Sequence, residues 1–366
     1  MIQFFLPTKV ITQNNCLDTH SNEFSNFGKS AIIITGKSSA KNGSLNDLIN
    51  ALNKEHIDYF LFDKVSSNPT IELAREVAEV AKNSNVDFVI GLGGGSPIDC
   101  AKAVALLVHN DLNDEDLFKG NYKFPILPII AIPTTAGTGS EVTQYSILNN
   151  KALETKTSIA HFSLFPKVAF LDARYMLNLP KEITINTSLD ALSHAIEGYL
   201  SIKATPYSNI FAEKSLQLLS ECMPYLDEEL SLEKRSLLLE ASTMAGIVIA
   251  HSGTTAVHSL GYSLTYFKKI DHGRANGLLL AEYLNFIYET HPAKVQKILD
   301  ILNLNDLKSF SYLIKTLLGE IEQLTSAEVD IFVDKALLAP NLGNTLVKPS
   351  RNTLKYILQE SLQIKK

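Results

Sequence analysis

Apolar runs and amphipathic stretches alternate through the first half of the chain. SAIIITG from Ser30, DYFLFD from Asp58 and DFVIGLGGG from Asp87 are short and rich in β-branched or aromatic residues, while LNDLINALNKEH from Leu45 and TIELAREVAEVAKNSN from Thr70 repeat with helical spacing. Apolar runs joined by amphipathic helices predict strands buried on both faces of a parallel sheet with crossover helices. LPIIAIPTT from Leu127 and VAFLD from Val168 add two more strands, and NDLNDEDLFKGN from Asn110 reads as a polar loop. After Leu179 helical periodicity takes over and almost no strand-like run remains. Pro180 therefore marks a boundary between an α/β Rossmann-like domain, 1–179, and an all-α domain, 180–366.

Length agrees with two domains, because 366 residues with 45% hydrophobic and 20% charged positions exceed one small core. The net charge of -6 comes without a basic run or interleaved aromatic and basic residues, which argues against nucleic acid and leaves small molecules as partners. Cys16, Cys100 and Cys222 lie far apart with no CxxC pair, as expected of a reduced cytoplasm. The N-terminal MIQFFLPTKV lacks a basic start and a small-residue cleavage site, so it does not read as a signal peptide. No stretch approaches the ~20 apolar residues that span a bilayer, so no membrane partner is expected.

Two polar turns carry candidate ligand chemistry. After the strand DFVIG come Gly91, Gly93, Gly94 and Gly95, then Ser96 and Pro97 at the start of a helical stretch. Glycines let backbone approach a pyrophosphate, and a helix start offers unpaired N–H groups to it. The spacing departs from G-x-G-x-x-G, and alone it equally describes a tight turn. PTTAGTGSEVT from Pro133 places hydroxyls and glycines after a second strand. Ligands of open α/β sheets bind at the carboxyl edge of the strands, so the two turns together are stronger evidence than either.

In the helical half, Asp190 and His194 are four positions apart and share one helix face. His258 lies on a predicted helix, and His272 at the turn before another. One carboxylate and three imidazoles suit zinc or ferrous iron better than magnesium or calcium, which take oxygen ligands. Spacing ties together the first pair only.

GLGGGSPIDCAKAVA, PTTAGTGSEVT, SLDALSHAIEGYLS and VHSLGYSLTYFKKIDHGRANG, in that order, resemble the signatures of the iron-containing (group III) alcohol dehydrogenases, and the resemblance covers nearly the whole chain. It implies a dehydroquinate synthase-like architecture with cofactor and metal in a cleft between domains, a likeness to a family of homodimers, and hydride transfer between NAD(P) and an alcohol or aldehyde. The implied metal ligands are Asp190, His194, His258 and His272. Gly93, Gly94, Gly95 and Ser96 would cradle the pyrophosphate with Asp99 beside them. Thr134, Thr135, Thr138 and Ser140 would line the cofactor, and Lys156 would contact its ribose. Two positions depart from the family. Tyr262 stands where many members have a histidine facing substrate, and reads as a pocket wall or a hydrogen-bond donor to the substrate oxygen. At the end of the first predicted strand, Thr35, Gly36, Lys37, Ser38 and Ser39 include no acid to hold ribose hydroxyls, and Lys37 with the two serines favours NADP over NAD. Two other readings stay open: a metal-dependent lyase or cyclase of the dehydroquinate synthase kind, and a nucleotide-binding protein without catalysis.

Overall fold

Ten strands run β1 Lys9–Thr12, β2 Ser30–Thr35, β3 Asp58–Phe62, β4 Phe88–Gly93, β5 Ile129–Pro133, β6 Tyr145–Asn150, β7 Thr155–Ala160, β8 Val168–Leu171, β9 Gln323–Thr325 and β10 Gln363–Lys365. They belong to a computed structural model that describes residues 4–365; Met1–Gln3 and Lys366, the outer ends of the two expected domains, lie outside the described residues. The chain divides into two compact units. One consists of Phe5–Thr135 and Gly139–Leu179, and the other is built mainly of the chain from Pro180 on, with Ala136–Thr138.

In the first unit six parallel strands take the order β1-β8-β5-β4-β2-β3. Strand side chains alternate between faces. Ile32, Ile34, Val89 and Ile129 therefore pack on one side with the helices Ile71–Asn83 and Gly95–Leu107. Ala31, Ile33, Phe88, Ile90 and Ile132 pack on the other with Leu48, Ala51 and Leu52 of the helix Ser44–Lys54. Thr70 starts the helix Ile71–Asn83 by accepting from the Leu73 amide at 3.2 Å, a cap worth about 1 kcal/mol. From β2 the chain goes outward to β3 and returns on the far side of β2 as β4. The carboxyl ends of β2 and β4 therefore flank the point where strand order reverses, the usual ligand crevice of this architecture.

Three features depart from the sequence expectation. The edge strand β1 is short and polar at both ends, which hid it from an apolar-run reading. β6 and β7 form an antiparallel hairpin in which β6 alternates half-buried and buried positions, a pattern concealed because Ser146 and Asn150 share its buried face with Leu148. β9 and β10 pair in parallel within the otherwise helical unit.

The helix Lys181–Tyr199 is central to the second unit and is buried on nearly every side from Thr184 to Tyr199. Pro206–Cys222, Leu232–Ser252 and His272–Tyr288 pack against it. Thr205 and Ser208 form a capping box with Pro206 in the first turn, the position where a missing N–H costs nothing. Among the described residues no helix is long and apolar enough to cross a membrane, and Cys16, Cys100 and Cys222 are buried free thiols.

Candidate metal centre and nucleotide turns

Asp190 and His194 project one turn apart from the helix Lys181–Tyr199, His258 from the helix Ala256–Lys268, and His272 opens the helix His272–Tyr288. Asp190 Oδ1 lies 3.9 Å from His194 Nε2, 3.8 Å from His258 Nε2 and 3.9 Å from His272 Nε2. The first three residues are almost wholly buried, and His272 is partly exposed. Gly273 allows this approach, since a Cβ there would collide with the Asn186 carbonyl.

The hydrogen bonds of the rings show what the site suits. His194 Nδ1 faces the Gly137 carbonyl at 3.3 Å, and His258 Nδ1 is hydrogen-bonded to Glu197 Oε2. Each Nδ1 therefore carries the proton, and each Nε2 presents a lone pair. Those two lone pairs face one another at 3.0 Å beside a carboxylate, a repulsive arrangement that a cation resolves. Iron or zinc therefore fits the residues present. Burial lowers the His194 pKa, against the opposing pull of Asp190, so the ring is neutral and able to coordinate near neutral pH.

Sequence reasoning did not single out Glu197, Thr255 or Asn276. Glu197 is fully buried, and its Oε1 accepts from the Thr255 amide at 2.8 Å, the Thr255 hydroxyl at 2.6 Å and the Val257 amide at 3.0 Å. Burial alone would raise its pKa, but the electrostatic influence of the His258 ring and its hydrogen bond, with the Thr255 bonds, hold it below the ordinary carboxylate value. Asn276 Nδ2 donates to Asp190 Oδ1 at 3.0 Å and lies 3.1 Å from His258 Nε2. A signal did exist: Glu197 is three residues past His194 and Asn276 four past His272, on the same helix faces. Tyr262 stacks on His272 with ring centroids 5.7 Å apart and stands edge-on to His258.

In the first unit, Gly93 has φ +142°, where a Cβ would press on Pro97, and Gly94 sits where a Cβ would crowd the Thr135 hydroxyl. The turn then enters the helix Gly95–Leu107 through partly exposed Gly94, Gly95 and Ser96, a cradle with a helix N-terminus that fits a pyrophosphate. The Thr134 amide donates to the Gly93 carbonyl at 2.9 Å, joining the two turns at the sheet edge. Asp99 is turned inward: Oδ1 accepts from Ser140 at 2.6 Å and Oδ2 from the Ile147 amide at 3.1 Å. Burial raises its pKa against the influence of Lys102. Lys156 lies on β7 and is largely buried. Thr138 falls in the other unit. After β2, Gly36 is partly exposed and Lys37 and Ser38 are exposed, while Ser39 is buried and its hydroxyl is bonded to Thr35 at 2.7 Å.

A doubly wound unit with a glycine cradle, in a chain that also gathers Asp190, His194, His258 and His272, defines a class of nucleotide- and metal-binding proteins. Residues 7–173 match the iron-containing alcohol dehydrogenase family and residues 184–361 its C-terminal family, and the chain belongs to that family. It is 31% identical over 80% of its length to the bifunctional aldehyde-alcohol dehydrogenase of Escherichia coli, of which the match spans 35%. It is also 31% identical to the NAD-dependent methanol dehydrogenase of Bacillus methanolicus, over 76% of this chain and 74% of that one. An iron-containing alcohol dehydrogenase structure from Thermotoga maritima superposes with a TM-score of 0.93 at 40% identity, covering 99% of each chain.

Proposed function

We propose that this chain transfers a hydride between a nicotinamide cofactor and a small alcohol or aldehyde at a metal held by Asp190, His194, His258 and His272. The observation carrying this reading is the pair of facing Nε2 lone pairs, each with its Nδ1 hydrogen-bonded to an oxygen, beside the Asp190 carboxylate. When bound, a divalent iron or zinc supplies Lewis acidity that lowers an alcohol's pKa and polarises a carbonyl. The chain's own residues provide the geometry. Glu197 and the Gly137 carbonyl fix the two tautomers, Asn276 holds the Asp190 carboxylate by a hydrogen bond, and Tyr262, stacked on His272, forms a wall for the substrate. The glycine turn orients the cofactor through its phosphates.

NADP is the proposed cofactor form. Exposed Lys37 and Ser38 follow β2 at the sheet's reversal point, and the segment from Thr35 to Ser39 has no carboxylate to repel a 2'-phosphate. The test is to load the purified full chain with ferrous iron or zinc, measure bound metal, and follow absorbance at 340 nm with a panel of primary alcohols and aldehydes against NADP and NAD. Stoichiometric metal with cofactor turnover supports the reading. Metal-loaded protein that turns over no alcohol or aldehyde with either cofactor refutes it.

A further inference from the structure

Lys102 is a fully buried lysine in the apolar helix that follows the glycine turn, surrounded in sequence by Ala101, Ala103 and Val104. Lysine ordinarily runs its stem along a surface and leaves its ammonium in water. Here Nζ points inward and donates to the Ser140 hydroxyl at 2.8 Å, the Thr143 hydroxyl at 3.2 Å and the Tyr145 carbonyl at 2.8 Å. Its three protons meet three acceptors. Asp99 Oδ1 lies 3.9 Å away and accepts from the same Ser140 hydroxyl. The Asp99 carbonyl accepts from Ser146 at 2.7 Å, and Asp99 Oδ2 from the Ile147 amide. Burial pushes Lys102 down to about 8, against the pull of Asp99 and Glu141.

These contacts join three pieces of chain that local structure leaves independent. They are the helix whose start is the phosphate cradle, the turn Ser140–Val142 closing the hydroxyl-rich PTTAGTGSEVT segment, and the hairpin whose second strand bears Lys156. A neutral side chain of similar length supplies fewer donors and no charge to balance Asp99. The cost of burying an ammonium is accepted where its position matters, because a half-satisfied buried network is unstable.

We infer that Lys102 is a positioning residue for the dinucleotide: it ties the hydroxyl turn and the β6–β7 hairpin to the phosphate-cradling helix, so that the cofactor meets a preformed surface. The inference rests on the dehydrogenase reading only in requiring that the chain bind a nicotinamide dinucleotide.

The experiment is K102M in the full, metal-loaded chain, with NADP and NAD binding measured by isothermal titration and steady-state rates measured as functions of cofactor. A preformed surface lost should weaken dinucleotide binding by about tenfold or more, raise cofactor KM in parallel, and leave kcat at saturating cofactor within about threefold, with bound metal unchanged. T143V removes one of the three acceptors, folds without exposing a charge, and should weaken binding by about two- to threefold in the same assay. A folded K102M that binds as tightly as the parent overturns the inference, as does a loss of kcat and metal equal to the loss of affinity. If K102M does not fold, an unchanged dissociation constant for T143V overturns it. A parent chain that binds neither dinucleotide refutes the dehydrogenase reading instead.

Discussion

At Asp190 and at Asp99 a carboxylate is buried beside several polar side chains, yet the charge is balanced differently. Asp99 has the ammonium of Lys102 at 3.9 Å, so the protein supplies its own cation and the cluster is closed. Among the described residues no lysine or arginine is ion-paired with Asp190 or Glu197; the neighbours are imidazoles whose outer nitrogens are already hydrogen-bonded. Lone pairs of His194 and His258 converge beside Asp190, with the Asn276 amide donating among them. A buried acid with an internal cation holds chain segments together. A buried acid among lone pairs is a place for an external ion. The contrast assigns roles by donor and acceptor count, independently of any motif.

The largest effect should come from removing a converging lone pair. H194A should leave the fold intact by circular dichroism but abolish retained metal after dialysis and, with it, activity; full metal occupancy in H194A would break the distinction drawn above. E197Q tests the outer layer. Replacing the carboxylate that fixes the His258 tautomer should weaken metal affinity by about 10–100-fold in a chelator competition, and an unchanged affinity would show that Glu197 serves packing alone.

Acid should separate the two clusters. His194 stays neutral in the folded state below its ordinary 6.5 and Glu197 stays ionised below its ordinary 4.5, so the unfolded chain takes up protons first at both. Metal-stripped protein should therefore lose stability as pH falls from about 6.5 through 4.5 and below. Lys102 works at the other end: folded, it releases its proton near 8 while the unfolded chain keeps it to about 10.5, so its contribution to stability grows as pH rises through that window. Melting temperatures against pH should show H194Q flattening the acid limb and K102M the alkaline one. The reverse assignment would sink the comparison. A more local effect is expected of K37A, which should reduce the preference for NADP over NAD by roughly tenfold, about one charge-assisted hydrogen bond; an unchanged ratio of kcat/KM values would remove Lys37 from cofactor selection.

Legibility along the chain follows burial. β2 and β4 were readable because both faces are covered and their central positions are apolar. The β6–β7 hairpin was not, because the buried face of β6 mixes Ser146 and Asn150 with Leu148. Helical spacing placed Asp190 and His194 on one face. His258 and His272 were linked to them through family resemblance, and their convergence on one carboxylate oxygen depends on how three helices pack. Glu197 and Asn276 lie in helical register with His194 and His272, a signal that periodicity offered. Lys102 gave none, since a lysine in an apolar helix usually reaches the surface.

By itself the sequence determined the alternation of strands and helices, the change of period near Pro180, the glycine turn and the shared helix face of Asp190 and His194, all local properties carried by residue type and spacing. Tertiary structure alone decided which imidazole nitrogens face inward, which carboxylate fixes a tautomer, and which buried acid receives a protein cation. Those depend on side chains far apart in sequence meeting at hydrogen-bond distance, and one-dimensional spacing holds no information about such meetings.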